Sequence, residues 1–279
     1  MDDLAEREFP LLERDFAKIA ALVRERAGIV LGERKRDLVY GRLSRRLRTL
    51  RCTSFADYCR RLDGPDGEDE RRVMLNAITT NLTRFFREPH HFEHLSREAL
   101  PAIMRTRTGG ERRIRIWSAG CSSGEEPYSI ALSVREVLGE THEWDVKILA
   151  TDIDTEMVAR AKAGRYDADR VAAIPPPLRQ RYVHACPSGG FEMADSIKSL
   201  IVFNSLNLLD EWPMRRPFDA IFCRNVVIYF DAATQRRLME RFARILVPGG
   251  WLYVGHSESL FRVSDFFQHL GRTIYRRIG

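Results

Sequence analysis

Residues 115–130, RIWSAGCSSGEEPYSI, run from an apolar strand through a glycine-broken turn straight into an acidic helix start. A turn of this kind belongs to a doubly wound α/β sheet, where ligands lie over the carboxyl ends of the strands and glycine lets them approach the backbone. The residues around the turn narrow the ligand. A pyrophosphate group needs free N–H donors, no nearby anion and a G-x-G-x-x-G spacing. Here Gly120 and Gly124 stand four apart, and Glu125 and Glu126 follow at once. Two carboxylates there repel phosphate and favour a cationic ligand.

A second apolar strand, 146–150, ends at Asp152 and is followed by an amphipathic helix. An acid in that position grips a ribose by accepting hydrogen bonds from both hydroxyls, so Asp152 by itself indicates a nucleoside. The two glutamates then select S-adenosyl-L-methionine, whose α-ammonium group is the cation. Asp154 and Thr155 read equally well as helix N-cap residues.

A chain of 279 residues can bury a full α/β core and carry a smaller domain as well. Its start, MDDLAEREFP, is acidic, and no apolar run approaches the roughly 20 residues of a membrane span, so a cytoplasmic protein without membrane insertion is expected. The five cysteines (Cys52, Cys59, Cys121, Cys186, Cys223) have no C-x-x-C spacing and suggest neither disulfides nor zinc. His90, His91 and His94 have no acidic or thiol partner at matching spacing, so no metal is expected; Pro89 simply starts a helix.

The positive charge is local. Residues 33–51 hold eight Lys or Arg against two acids, a net +6 that equals the excess of the whole chain, 45 minus 39. On a helix, Val39, Leu43, Leu47 and Leu50 form one apolar stripe, while Arg34, Arg42, Arg45 and Arg48 fall away from it. That face is read as a dock for an acidic partner, and sign alone leaves acidic protein and nucleic acid both open.

The chain divides at residues 1–78, a helical and basic docking domain; 79–92, a linker that contributes to the cofactor site; and 93–279, the ligand-binding domain. Helices are expected over 13–27, the basic segment, 55–62, from Glu70 onward, 90–107 and 232–246, and strands over 113–118, 145–151, 200–204, 218–223, 250–255 and 272–278. Residues 175–200 are longer than a βα connection needs, and their Pro run and Gly189-Gly190 turn predict an inserted helix and a small antiparallel hairpin. A final strand that follows a glycine turn without a crossover helix is antiparallel. The fold class is therefore α/β: a Rossmann-like doubly wound sheet of the class I methyltransferase type with an antiparallel last strand, an N-terminal all-α domain and an inserted β subdomain.

Six segments in order, NLTRFFRE (81–88), WSAGCSSGEEPYSIA (117–131), TDID (151–154), NLLD (207–210), FDAIFCRNVVIYF (218–230) and GHSES (255–259), make the chain resemble the CheR-type chemotaxis receptor methyltransferases over nearly its whole length. The resemblance implies an enzyme that methylates glutamate side chains of chemoreceptors with S-adenosyl-L-methionine. It implies cofactor contacts at Asn81, Thr83, Arg87, Glu126, Asp152, Asn207, Leu208, Arg224 and Asn225, with Glu125 beside Glu126 as the other acid of the turn. It also implies a cytoplasmic protein recruited to membrane receptor arrays, with the basic helix on the receptor's cytoplasmic domain.

Several of these roles have physical alternatives. Asn207 and Asn225 suit adenine edges or the methionine tail, or simple turn positions. Arg87 either holds the domains together or reaches the cofactor or substrate carboxylate, and the second reading makes it catalytic. Tyr229 either walls the methyl-transfer pocket or is a strand-end tyrosine. A glutamate carboxylate, with a pKa of about 4.3, is already a nucleophile at neutral pH, so no general base is demanded and His256 is read as structural or as a pocket wall.

A nucleic-acid methyltransferase is the main competitor. Base-amine methylation calls for (N/D)-P-P-(Y/F) after the fourth strand, where this chain has Arg224-Asn225-Val226-Val227, and Cys223 has no preceding proline. A non-enzymatic sensor is disfavoured by the intact set of site residues. Finally, the turn 186–190 is shorter and poorer in glycine than in family members that grip a receptor's carboxyl-terminal pentapeptide tether, so this protein is expected not to need one.

Overall fold

The computed structural model describes residues 7–107, 112–140, 143–258 and 265–279. The acidic residues 2, 3 and 6 and Ser259, last of the GHSES segment, lie outside them. The chain forms two compact units: Met1–Thr80 together with Tyr229–Asp231, and Asn81–Ile228 together with Ala232–Gly279.

Among the described residues the N-terminal unit is built of α1 (Glu13–Ala27), α2 (Arg36–Leu50, after a 3-10 turn at Glu33–Lys35), α3 (Phe55–Leu62) and α4 (Gly67–Ile78). Gly28 ends α1 in the left-handed region, φ 70°, and its N–H reaches the Arg24 carbonyl at 2.8 Å. The apolar stripe of α2 faces inward: Val39, Leu43 and Leu47 are fully buried with Phe16, Ile19 and Val23 of α1 and Phe55 and Leu62 of α3. One acid sits in this core. Glu70 accepts two-pronged hydrogen bonds from Arg46 and a third from the Tyr58 hydroxyl at 2.8 Å.

The arginines expected to face a partner do not all project. Arg42 is half-buried and donates to the Ile78 and Thr79 carbonyls and the Thr80 hydroxyl, closing the C-terminal end of α4. Arg48 makes a bidentate pair with Glu8 at 2.5–3.0 Å. Arg34 and Arg45 are exposed, and among the described residues neither side chain makes an ion pair. Orphan carbonyls at a helix end and a nearby glutamate both compete for guanidinium groups, and the charge count of one segment does not register either competitor.

The second unit begins with one helical stretch, α5 (Pro89–His94), a π-helical turn (Leu95–Ala99) and α6 (Leu100–Thr106). The interruption has a local cause. Pro101 has no N–H for the Arg97 carbonyl and its ring crowds that carbonyl, so the turn before it widens. There follow β1 (Arg113–Ala119), α7 (Glu125–Leu138), β2 (Asp145–Asp152), α8 (Thr155–Ala163), β3 (Arg165–Tyr166), α9 (Ala168–Val171), α10 (Pro176–Tyr182), β4 (Val183–Ala185), β5 (Phe191–Met193), α11 (Asp195–Lys198), β6 (Ile201–Ser205), β7 (Phe218–Cys223), α12 (Ala232–Ile245), β8 (Leu246–Val254), β9 (Phe267–Gly271) and β10 (Ile274–Arg277).

The seven-stranded sheet has the order β6-β2-β1-β7-β8-β10-β9, and β10 is antiparallel to both neighbours, so the doubly wound sheet with an antiparallel last strand holds. Ile114 and Ile116 of β1 face the core shared with residues 92–103 and α7, whereas Trp117 points to the other side against Trp212 and Phe242. Its indole N–H donates to Thr151 Oγ1 at 2.9 Å.

Two features depart from the sequence reading. β9 falls in no expected strand: only Phe267 is buried while Gln268, His269 and Leu270 are exposed, an edge strand without the alternation that marks one in sequence. β8 starts at Leu246 rather than 250, running through Pro248-Gly249 with a register shift between its pairings to Phe218 and Ala220. The inserted β subdomain is present, as the sheet β3-β5-β4; its first strand, Arg165–Tyr166, lies before the expected range.

Removing the acid of the N-terminal core leaves the Arg46 guanidinium and the Tyr58 hydroxyl without their shared acceptor. Glu70→Ala is expected to lower stability by about 2–4 kcal/mol, measured by urea unfolding, with Glu70→Gln costing less because it keeps one acceptor oxygen.

Candidate functional site

The carboxyl ends of β1, β2, β7 and β8 carry the loops where the sequence places a ligand. Their geometry is set by glycine at two points. Gly120 lies at φ 93°, and a Cβ there would come within 2.4 Å of Val226 Cγ2. Gly255 leaves room for Asn225, whose side-chain nitrogen would be 2.4 Å from an added Cβ.

Backbone N–H groups in these loops have no strand to pair with, and carboxylates take them up. Asp152 accepts from Ser122 N–H at 2.7 Å through one oxygen and from Asp154 N–H at 2.9 Å through the other. Burial pushes its carboxyl up to about 6, against the pull of those backbone donors. Asp154 is the N-cap of α8, accepting from Glu156 and Met157 N–H, and its other oxygen accepts from the Asn81 amide at 2.8 Å. The Asn81 carbonyl accepts from Ser122 Oγ at 3.3 Å, so Asn81 joins the loops after β1 and β2.

The two glutamates of the turn diverge. Glu125 is fully buried, accepts from Ser123 Oγ at 2.7 Å and pairs with Arg170. Its charge is taken up by a residue 45 positions later, which no local reading registers. Glu126 accepts from Ser118 Oγ at 2.7 Å and from Arg224 Nη1 at 3.0 Å. Burial raises its carboxyl above the usual range, while Arg224 and Ser118 oppose the rise. The structure thus separates two acids that the sequence treats alike.

Arg224 is itself buried, bonded to Glu126 and to the Arg87 carbonyl, with its guanidinium carbon 5.5 Å from the Phe92 ring centre. Arg87 donates from its own side chain to the Leu82 carbonyl at 2.7 Å, and Thr83 is half-buried in the same segment. Asn207 spends its amide locally: its oxygen accepts from Leu209 N–H and its nitrogen donates to Asp210, an Asx turn. Leu208 is buried, and its carbonyl accepts from Trp212 and Arg241. Leu206 N–H donates to the Asp152 carbonyl at 2.9 Å, which brings this loop to the end of β2. Tyr229 groups with the N-terminal unit, its carbonyl accepting from Val30 N–H at 2.9 Å.

Asn225 stands in the left-handed region at φ 59°. It is held there by Glu258, a residue the sequence reading passed over in favour of its neighbour His256. Glu258 is 3% exposed and accepts from three backbone N–H groups: Asn225 at 2.7 Å, Gly255 at 2.6 Å and Ile228 at 3.2 Å. Burial raises its carboxyl, and those N–H groups oppose the rise. His256 is exposed, and its backbone N–H donates to Glu88 Oε1 at 3.1 Å. The signal for Glu258 was present as an acid three residues beyond a strand-ending glycine.

The histidines gain an acidic neighbour that helical spacing did not show. Glu88, His90 and His91 offer ligand atoms within 4.8 Å of one another. Both rings point Nε2 at the Arg272 carbonyl, at 3.0 and 3.1 Å, and Glu88 lies 3.3 Å from the Arg224 guanidinium, which disfavours a cation in the same place.

A sheet of this order, with acids and not phosphate-binding amides at the ends of β1 and β2, defines a class I S-adenosylmethionine-dependent methyltransferase. Residues 14–79 match the family described as CheR methyltransferase, all-alpha domain, and residues 81–276 that described as CheR methyltransferase, SAM binding domain. The chain belongs to the CheR methyltransferase family. It is 48% identical over 255 residues to a probable chemotaxis protein methyltransferase of Rhizobium etli, covering 90% of this chain and 94% of that one. It is 43% identical over 273 residues to chemotaxis protein methyltransferase 2 of Pseudomonas aeruginosa (96% and 95% covered) and 42% identical over 270 residues to the chemotaxis protein methyltransferase of Escherichia coli K12 (95% and 91% covered).

Glu258→Ala strands three backbone N–H groups at the ends of β7 and β8. A stability loss of about 2–4 kcal/mol in urea unfolding is expected, with a smaller loss for Glu258→Gln.

Proposed function

We propose that this protein transfers the methyl group of S-adenosyl-L-methionine to glutamate side chains of chemoreceptors, giving carboxyl methyl esters. The observation that carries the reading is the acid pair Glu126 and Asp152 at the carboxyl ends of β1 and β2, each buried and each retaining acceptor capacity beyond the bonds it makes. That donor and acceptor set fits the cofactor: a carboxylate for a cationic methionine moiety and a carboxylate for ribose hydroxyls. Asn81, Thr83, Arg87, Leu208, Arg224 and Asn225 complete the proposed contacts, Asn207 shaping its loop rather than lending a free amide.

Held by Glu126 and Asp152, the cofactor would supply an electrophilic sulfonium methyl to an acceptor carboxylate that is already a nucleophile, the C–O bond formed balancing the S–C bond whose electron pair would stay on sulfur. No proton moves, so no side chain has to act as a base. Opposite charges disappear as the bond forms, and the protein's contribution is alignment and partial removal of water. Arg87 is proposed to orient the acceptor carboxylate. Glu125, locked to Arg170, shapes the turn.

The receptor's cytoplasmic domain is proposed to meet the 3-10 turn and α2 through Arg34 and Arg45, whose side chains make no ion pair among the described residues, with Arg42 and Arg48 contributing further charge. The protein would then act in the cytoplasm at receptor arrays; among the described residues no helix is long and apolar enough to cross a membrane. The turn between β4 and β5 is tight, Gly189 N–H bonding the Cys186 carbonyl at 3.0 Å, and both outer strands of that small sheet span only two or three residues. This supports recognition without a pentapeptide tether. A titration with such a peptide is expected to give no detectable binding, whereas a dissociation constant in the low micromolar range, roughly −8 kcal/mol, would establish the tether.

The decisive experiment incubates the protein with radiolabelled S-adenosylmethionine and chemoreceptor, RNA or DNA. Label on receptor that mild base releases as methanol is expected; label on nucleic acid instead would refute the proposal. Asp152→Ala is expected to weaken S-adenosylhomocysteine binding by about 1.5–3 kcal/mol in calorimetry while the protein stays folded. Asp152 also sets a pH dependence. Its folded value near 6 is raised, so the carboxylate needed for ribose prevails above about pH 6, and affinity should fall by up to about tenfold per pH unit below it. Arg34→Glu with Arg45→Glu should raise the Michaelis constant for receptor and leave cofactor affinity unchanged; the reverse outcome would remove α2 from docking.

A further inference from the structure

Segment 81–88 is fastened at both ends, by Asn81 to the loops after β1 and β2 and by its last residue to those after β7 and β8. Glu88 caps α5 from the left-handed region, φ 58° and ψ 68°, a conformation that costs a glutamate about 1–2 kcal/mol and that nothing in the helix itself demands. Its side chain, 15% exposed, reaches two loops at once. Oε1 accepts the His256 N–H beyond β8 at 3.1 Å, and Oε2 lies 3.3 Å from Arg224 Nη2 beyond β7. Arg224 is thereby held between two carboxylates, Glu126 from α7 and Glu88 from the segment that carries Asn81, Thr83 and Arg87. Two histidines adjoin it: His90 and His91 offer ring nitrogens within 4.8 Å of the Glu88 carboxylate, and His91, fully buried, has Nδ1 3.5 Å from Glu88 Oε2. Burial first, and the Arg224 charge second, push the His91 imidazole down to about 3, so His91 adds no charge. In formal charge, the two carboxylates and the one guanidinium sum to −1. Arg224 Nε, Glu88 Oε2 and His91 Nδ1 are buried there without a hydrogen-bond partner among the described residues, so the cluster is not saturated by its own bonds.

We propose that Glu88 is a positioning residue of the methyl-transfer site: through its charge on Arg224 it fixes the Glu126–Arg224 pair, and through the His256 amide it fastens segment 81–88 over the loops after β7 and β8. The inference rests on the cofactor reading of Glu126 and Arg87. A residue kept in a disfavoured backbone conformation for the sake of a site should be replaceable at no cost to the fold but at a cost to binding. Asparagine tests this directly, because it tolerates the left-handed region better than glutamate and cannot span both loops.

The test uses the full chain, with S-adenosylhomocysteine affinity from calorimetry and melting temperature from thermal unfolding. Glu88→Gln and Glu88→Asn are each expected to weaken binding by about tenfold. The melting temperature should be unchanged for Gln and unchanged or higher for Asn. If Glu88 acts through Arg224, the double variant Glu88→Gln with Arg224→Gln binds about as weakly as Arg224→Gln alone, whereas independent roles would give additive losses. Binding within about twofold of wild type in both single variants would overturn the proposal, since a buried charge partner is worth more than that. Additive losses, or a melting temperature that drops in both single variants, would assign Glu88 to the fold alone and overturn it equally. Wild-type protein that fails to bind S-adenosylhomocysteine would refute the cofactor reading instead, so the two failures are told apart.

Discussion

Loops leaving the carboxyl ends of buried parallel strands carry N–H groups that the sheet cannot satisfy, and in this protein buried carboxylates take them up. Asp152, Asp154, Glu258 and Glu88 each accept backbone N–H groups beyond the strand ends, and Glu126 holds the guanidinium that crosses among them. Ionised acids suit this task because each offers several lone pairs and bonds to N–H more strongly than a neutral oxygen does. Their concentration at one edge also gives the site its negative character. The scaffold and the negative character of the site are therefore supplied by one set of side chains.

That double use explains why cofactor selection is visible in a short stretch of sequence while the geometry is not. Gly120, Gly124 and the following acids lie within seven residues, and a turn of small residues before an acidic helix start excludes phosphate on local grounds. What Glu125 and Glu126 do individually depends on Arg170 and Arg224, which lie 45 and 98 positions away. Spacing along a helix cannot anticipate such partners. Glu258 went unseen for a related reason: its role is defined by N–H groups of the β7 loop, and polar backbone groups leave no trace in residue type.

Elements were legible to the extent that they were amphipathic. α1 and α3 fall at 13–27 and 55–62, where caps and apolar periodicity place them, and the inner strands read as apolar runs. β9, exposed over three successive residues, offers no pattern to read. The basic face of α2 was legible as charge but not as availability. Arg42 and Arg48 face away from the apolar stripe as the wheel requires, yet one closes the end of α4 and the other meets Glu8.

β10 follows every other strand in sequence yet is paired on both sides, with β8 and with β9. The turn joining β9 to β10 also presents the Arg272 carbonyl to His90 and His91, at the start of the α/β unit's first helix. Such a connection joins residues about 180 positions apart, and loop closure of that length precedes any reward from the contacts it allows. The unit cannot complete its sheet progressively as the chain emerges. Until residues 274–277 arrive, β8 is left as a long apolar edge open to pairing with another chain, so the window for misassembly stays open until β10 is in place.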